Sequence, residues 1–172
     1  LDWCPGYLPR YAQCRVDGFS IAFDRGETFI TAFLAGWTGP PYGSIAWGWR
    51  PVLIRIDVQQ GPVYSGFLSQ SGSSSRPTSE GISNPDIIPR TQIIIVNGEK
   101  WIFWADRRNG NMGNIFLEKL GRNNEVLIDD QLVQFTDNED YVAAAADAAG
   151  PYVVYMNGFL RKKHADSTCV ET

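Results

Sequence analysis

The sequence predicts an all-β chain built from about three copies of one small antiparallel sheet, and three observations carry that expectation. Seventeen glycines, ten prolines and 13% aromatic residues give a turn-rich, aromatic-rich balance that suits short strands better than helices. Apolar and polar residues alternate with a period of two between the turn signals. One phrase recurs three times: an apolar strand, a turn containing glycine, and a second strand ending in an aromatic residue. At 172 residues the chain fits one domain able to bury roughly 70% of its unfolded surface, so its core needs no metal or disulfide.

In the first copy, Ser20-Ile21-Ala22-Phe23-Asp24 enters a turn at Arg25-Gly26 and leaves as Glu27-Thr28-Phe29-Ile30-Thr31-Ala32-Phe33, a half-buried hairpin. Residues 52–58 supply its third strand, and residues 63–68, reached through Gly61-Pro62, its fourth. The second copy runs from residues 92–96 through Asn97-Gly98, the dipeptide best suited to two positive φ angles, to residues 101–104. Strands at 115–120 and 126–128 follow, the latter beyond Arg122-Asn123-Asn124. The third copy runs from residues 141–146 through Asp147-Ala148-Ala149-Gly150 to residues 152–155, with Asn157-Gly158 leading to 159–164 and no fourth strand. Its alanines also suit a helix, but Gly150-Pro151 would end one within about two turns.

The repeat units therefore span about 17–70, 83–133 and 139–168, behind an N-terminal segment 1–16, in a single all-β domain 1–172. Aromatic residues recur 51 positions apart from Trp104 to Tyr155 but 71 apart from Phe33 to Trp104, so the first unit carries extra chain. Two loops account for it: residues 37–50 (WTGPPYGSIAWGWR), aromatic and turn-rich, and residues 70–81 (QSGSSSRPTSEG), of flexible-linker composition. Four short strands per unit match the blades of a β-propeller, partial or completed by association of copies; the alternative is a two-sheet β-sandwich. A ring needs at least about four blades, so strands from the N-terminal segment, other copies of the chain, or a longer protein would have to complete it.

Trp104-Ala105-Asp106-Arg107-Arg108-Asn109-Gly110-Asn111, followed by Ile115-Phe116 and Val126-Leu127-Ile128-Asp129-Asp130, resembles the repeat of sialidase-like and related bacterial β-propellers, over residues 83–136. Asp24-Arg25-Gly26-Glu27-Thr28-Phe29 is similar to the Asp-box of sialidase propellers, with Ala22 where that motif prefers Ser or Thr. The resemblance implies architecture; an Asp-box is structural in its own family and does not imply catalysis.

A net charge of -4, with Arg161-Lys162-Lys163 as the only basic run, gives no footprint for a nucleic acid. No run of eighteen apolar residues is present, so membrane insertion is not expected, and a chain opening on Leu1 reads as a processed or excised product. Cys4, Cys14 and Cys169 lie towards the two ends of the chain. They suggest one disulfide in an oxidising, extracellular or cell-surface compartment with the third thiol free or paired to another chain; three unlinked thiols are the alternative. Zinc-ligand spacings are absent.

Trp37, Tyr42, Trp47 and Trp49 crowd the 37–50 segment, with Arg50 at its end. Aromatic faces stack on sugars or anchor protein partners, and an arginine adds a hydrogen-bonding fork; packing between blades or at a subunit interface is the competing role. Asp106, Asn109 and Asn111 place oxygens around Gly110 that suit Ca²⁺, or else only cap the turn; no other cofactor is expected. Trp101 and Trp104 read as core or inter-blade residues. His164 reads as a surface residue, and Asp129-Asp130 and Glu139-Asp140 as solvated loop acids. Arg50, Arg55, Arg90, Arg107 and Arg108 show no spacing that assembles a sialidase site, so no catalytic residue is assigned. The expected function is a non-enzymatic extracellular recognition module of lectin type that binds a glycan or protein ligand and self-associates. A structural subunit of a surface layer, filament or virion, and a sialidase-like glycosidase fragment, are the alternatives.

Overall fold

The computed structural model describes residues 12–38, 47–68, 91–106, 114–135, 142–157 and 159–165, and every regular element among them is a strand. The first sheet contains β1 (Ala12–Asp24), β2 (Glu27–Thr38), β3 (Trp47–Asp57) and β4 (Gly61–Phe67). The second contains β5 (Thr91–Val96), β6 (Glu99–Asp106), β7 (Asn114–Leu120) and β8 (Val126–Phe135). The third contains β9 (Val142–Asp147), β10 (Gly150–Asn157) and β11 (Phe159–His164). Within each sheet every strand pairs antiparallel with its neighbour in sequence, giving four-, four- and three-stranded meanders.

The turn residues explain where the strands reverse. Arg25 and Gly26 have φ of 49° and 85°, and Asn97 and Gly98 have 54° and 80°, the paired positive angles whose twist matches the flanking strands. An added Cβ at Gly98 would strain this backbone and lie 3.3 Å from Arg122 Cγ. Gly98→Ala is therefore expected to cost about 1–2 kcal/mol of unfolding free energy, measured by denaturant titration.

Alternation decides how the sheets stack. Ile93, Ile102, Trp104, Phe116 and Leu120 meet Phe29, Phe33, Leu53 and Leu68 of the first sheet and its flank. Trp101, Phe103, Ile115, Leu117 and Val133 meet Val142, Val153 and Tyr155 of the third. Trp101 and Trp104 thus serve opposite interfaces, with the Trp104 and Phe116 rings stacked at 6.0 Å. Both faces of the second sheet are covered, so three layers replace the two-sheet sandwich alternative. First strands meet first strands, β1 beside β5 and β5 beside β9.

Several expected boundaries move. β1 begins at Ala12, inside the expected N-terminal segment, and crosses a bulge between Asp17 and Ser20 where Gly18 has a φ of 60°. The 37–50 segment is not one loop, because β2 continues to Thr38 and β3 begins at Trp47. β8 extends to Phe135, which puts Asp129-Asp130 in a strand rather than a loop.

Candidate functional site

Chain direction gives the molecule two unlike ends. At one end the reversals are tight: Arg25-Gly26, Asn97-Gly98, and the turns joining β3 to β4, β7 to β8 and β9 to β10. β1 and β5 run the same way, since the Thr91 hydroxyl donates to the Gly18 carbonyl (3.1 Å) and the Ile93 amide to Ser20 Oγ (3.2 Å). The ends of β2, β4, β6 and β8 and the starts of β3, β5, β7 and β9 consequently gather at the opposite end, where the longer connections leave.

The tight-turn end is a structural clasp. Lys100 is 1% exposed, and its ammonium lies 3.0 Å from the Asp24 carboxylate across the interface between the first and second sheets. It also donates to the carbonyls of Gly98 (3.1 Å) and Arg122 (3.4 Å), with the Phe29 ring centroid at 5.0 Å. The Lys100 hydrogen bond holds the Asp24 carboxyl below the usual carboxylate range. Beside it, Arg55 grips Glu27 bidentately at 2.7 and 3.2 Å, and the Asn124 side-chain amide donates to the same carboxylate at 3.0 Å. Arg55 again lowers the Glu27 pKa. Arg25 adds a bond to the Arg122 carbonyl.

Residue composition does not single out this clasp, but side-chain alternation does. Lys100 shares the period-two face of Ile102 and Trp104, so alternation alone points it inward. Another exposed cluster lies on the third sheet, where Asp147 accepts from Lys162 (2.5 Å) and lies 3.1 Å from His164 Nε2, both partners lowering its pKa. His164 is thus at the surface, as expected.

The expected recognition residues fall at the other end. Trp37 pairs with Gln13 near the end of β2, and Trp47 opposes Gly36 at the start of β3. Trp49 lies two positions further along β3, and Arg50 opposes Leu34. Four of the five residues therefore sit on paired strand ends rather than in an inserted loop, because aromatic residues favour strands and a register slip between Leu34 and Gly36 lets the pairing continue. Tyr42 lies outside the described residues. Asp106 closes β6 opposite Asn114, at the same end as the tryptophans, while Asn109 and Asn111 lie outside the described residues. Cys14 opposes Gly36 in the first hairpin; Cys4 and Cys169 lie outside.

These features define an all-β protein of stacked antiparallel meander sheets, with the first hairpin turn of each sheet at one end and the longer connections, together with the short β10–β11 reversal, at the other. No family model and no curated protein matches the sequence. Among solved structures the chain is similar to a GH43_1 enzyme from Xanthomonas citri, with 14% identity and a TM-score of 0.42. That similarity covers 81% of this chain and 39% of the enzyme, so the chain spans well under half of the enzyme's length.

Proposed function

We propose that this chain is a non-enzymatic, extracellular carbohydrate-recognition module of the sialidase-like repeat type, binding through the strand ends that carry Trp37, Trp47, Trp49 and Arg50. The supporting observation is the pairing of β2 with β3 through Leu34–Arg50 and Gly36–Trp47, which brings the backbones of Arg50 and Trp47, with Trp49 between them in β3 and Trp37 next to Gly36 in β2, to the end where the longer connections leave. Indole faces stack on the apolar face of a pyranose, and a guanidinium bridges its hydroxyls. Anchors on paired strands lose less conformational freedom on binding than anchors on a free loop, so the move from loop to strand favours the binding role. Two residues considered for chemistry are otherwise engaged, Arg55 with Glu27 and His164 with Asp147.

A broad glycan array followed by calorimetric titration tests the proposal. Binding of at least one glycan is expected, weakened on the order of tenfold or more by Trp47→Ala or Trp49→Ala with the circular dichroism unchanged. An array at background level, with both variants indistinguishable from the parent, refutes it. Turnover of a sialoside reporter would point to the glycosidase reading instead.

A further inference from the structure

We propose that the first part of β8, residues 126–131, is a proton-held latch: it stays on β7 while Glu118 carries its proton, and it lifts away, with the rest of the second sheet intact, once that proton leaves. Strand register singles β8 out. The β5–β6 and β6–β7 ladders run without a slip, whereas the β7–β8 ladder slips three times. Leu117 pairs with Gln131 and Lys119 with Ile128, so Glu118 of β7 stands opposite two residues of β8, Asp129 and Asp130. This is a bulge, and Asp130 takes a φ of 47° within it. Val133 and Leu127 are skipped by the pairing on either side of it.

Glu118 meets these two carboxylates from a dry position. Its neighbours on the same side of β7, Phe116 and Leu120, and its cross-strand partner Ile102 all belong to the cluster between the first and second sheets, and Glu118 is 6% exposed. Its side chain makes no hydrogen bond or ion pair among the described residues. The charged and titratable groups of the other elements on that side are engaged elsewhere: Lys100 of β6 with Asp24 of β1, and Arg55 of β3 with Glu27 of β2 and over the Tyr64 ring of β4. Burial first, and then Asp129 and Asp130, push the Glu118 carboxyl up to about 8, and no cation offsets them.

The fastening of β8 decides where a third negative charge takes effect. β8 ends the strand order of its sheet, with β7 as its neighbour there. Its far part is anchored, since Val133 is 1% exposed in the cluster facing the third sheet and Leu132 packs on the cluster facing the first. The turn before it is anchored too: the Arg122 carbonyl accepts from Lys100 (3.4 Å) and from Arg25, and the Asn124 amide donates to Glu27 (3.0 Å). The stretch between is held weakly. Val126 and Leu127 are 57% and 50% exposed, and of residues 126–131 Ile128 alone packs into a core cluster. Ionising Glu118 in place would leave an uncompensated carboxylate in a dry interface beside two others. Lifting this stretch admits water to it at the loss of three cross-strand pairings and one partly buried isoleucine, which is a smaller loss than unfolding the sheet.

Hydrogen exchange read by mass spectrometry, parent against Glu118→Gln at matched pH, tests the latch. At pH 9 peptides covering residues 126–131 are expected to exchange on the order of tenfold or more faster in the parent than in the variant, while peptides of β5 and β6 agree; at pH 6 the two proteins agree throughout. Asp129→Asn combined with Asp130→Asn is the second arm, because asparagine accepts the left-handed backbone at position 130 and removes the repelling charges. The excess exchange that residues 126–131 of the parent gain between pH 6 and pH 9 should shrink in this variant. Equal exchange of the stretch in parent and Glu118→Gln at pH 9 overturns the proposal. So does faster exchange spread evenly over β5, β6 and β7, which is destabilisation of the whole sheet rather than release of one segment. If Glu118→Gln does not fold, the double asparagine variant decides, and an undiminished gain in it overturns the proposal.

Discussion

Asp24→Asn is expected to lower the unfolding free energy by about 2–4 kcal/mol, because it leaves the Lys100 ammonium in a dry interface without its counter-charge. The ammonium keeps the Gly98 and Arg122 carbonyls at 3.1 and 3.4 Å, but these are neutral acceptors. Adding Lys100→Met removes the stranded charge and fills a similar volume, so the double variant should recover to within about 1 kcal/mol of the parent. Acid supplies a second readout. The folded pKa of Asp24 lies below its ordinary 3.8, so its contribution is complete above that value and is lost as pH falls through the folded pKa. Guanidinium titrations at neutral pH and below pH 4 should show the Asn variant converging on the parent in acid. A constant difference at all pH values would contradict the ion-pair account.

Glu118→Gln is expected to act in the opposite direction, stabilising the protein by about 2–4 kcal/mol above pH 8 and by little below pH 5. Glu118 on β7 is 6% exposed, and burial, followed by the charges of Asp129 and Asp130 on β8, pushes its carboxyl up to about 8. The unfolded chain releases that proton near the ordinary value of 4.5, whereas the folded chain holds it until about 8. Through that window the folded state binds the extra proton, so stability falls as pH rises, and it stays low above the folded pKa. Glutamine keeps the shape without the ionisation and should flatten the slope. Parallel stability curves for parent and variant between pH 5 and pH 9 would show that Glu118 is not the titrating group.

Local chemistry was the part of this structure most legible in the sequence. Asn97-Gly98 and Arg25-Gly26 announced their hairpins because few other residues accept two positive φ angles in succession. The odd spacing of Trp101 and Trp104 on one strand already placed them on opposite faces, and the stack uses both. Non-local features were less legible. The bulge that carries β1 back to Ala12 depends on pairing with β2, which no single segment encodes. Glycine and proline in residues 37–50 suggested a continuous loop, yet cross-strand pairing held both of its flanks in the sheet. Asp129-Asp130 looked like loop acids by composition; Asp129 is exposed as expected, but the length of β8 puts the pair in a strand, where their charges act on Glu118. Lys100 and Glu118 show the same limit, since residue type says surface while alternation and packing put them inside.

The strictly sequential meander also governs how the chain reaches this state. Every ladder among the described residues joins strands adjacent in the sequence, so each of these sheets requires only short-range loop closures. The second sheet, apolar on both sides, is the layer against which both outer sheets pack among the described residues.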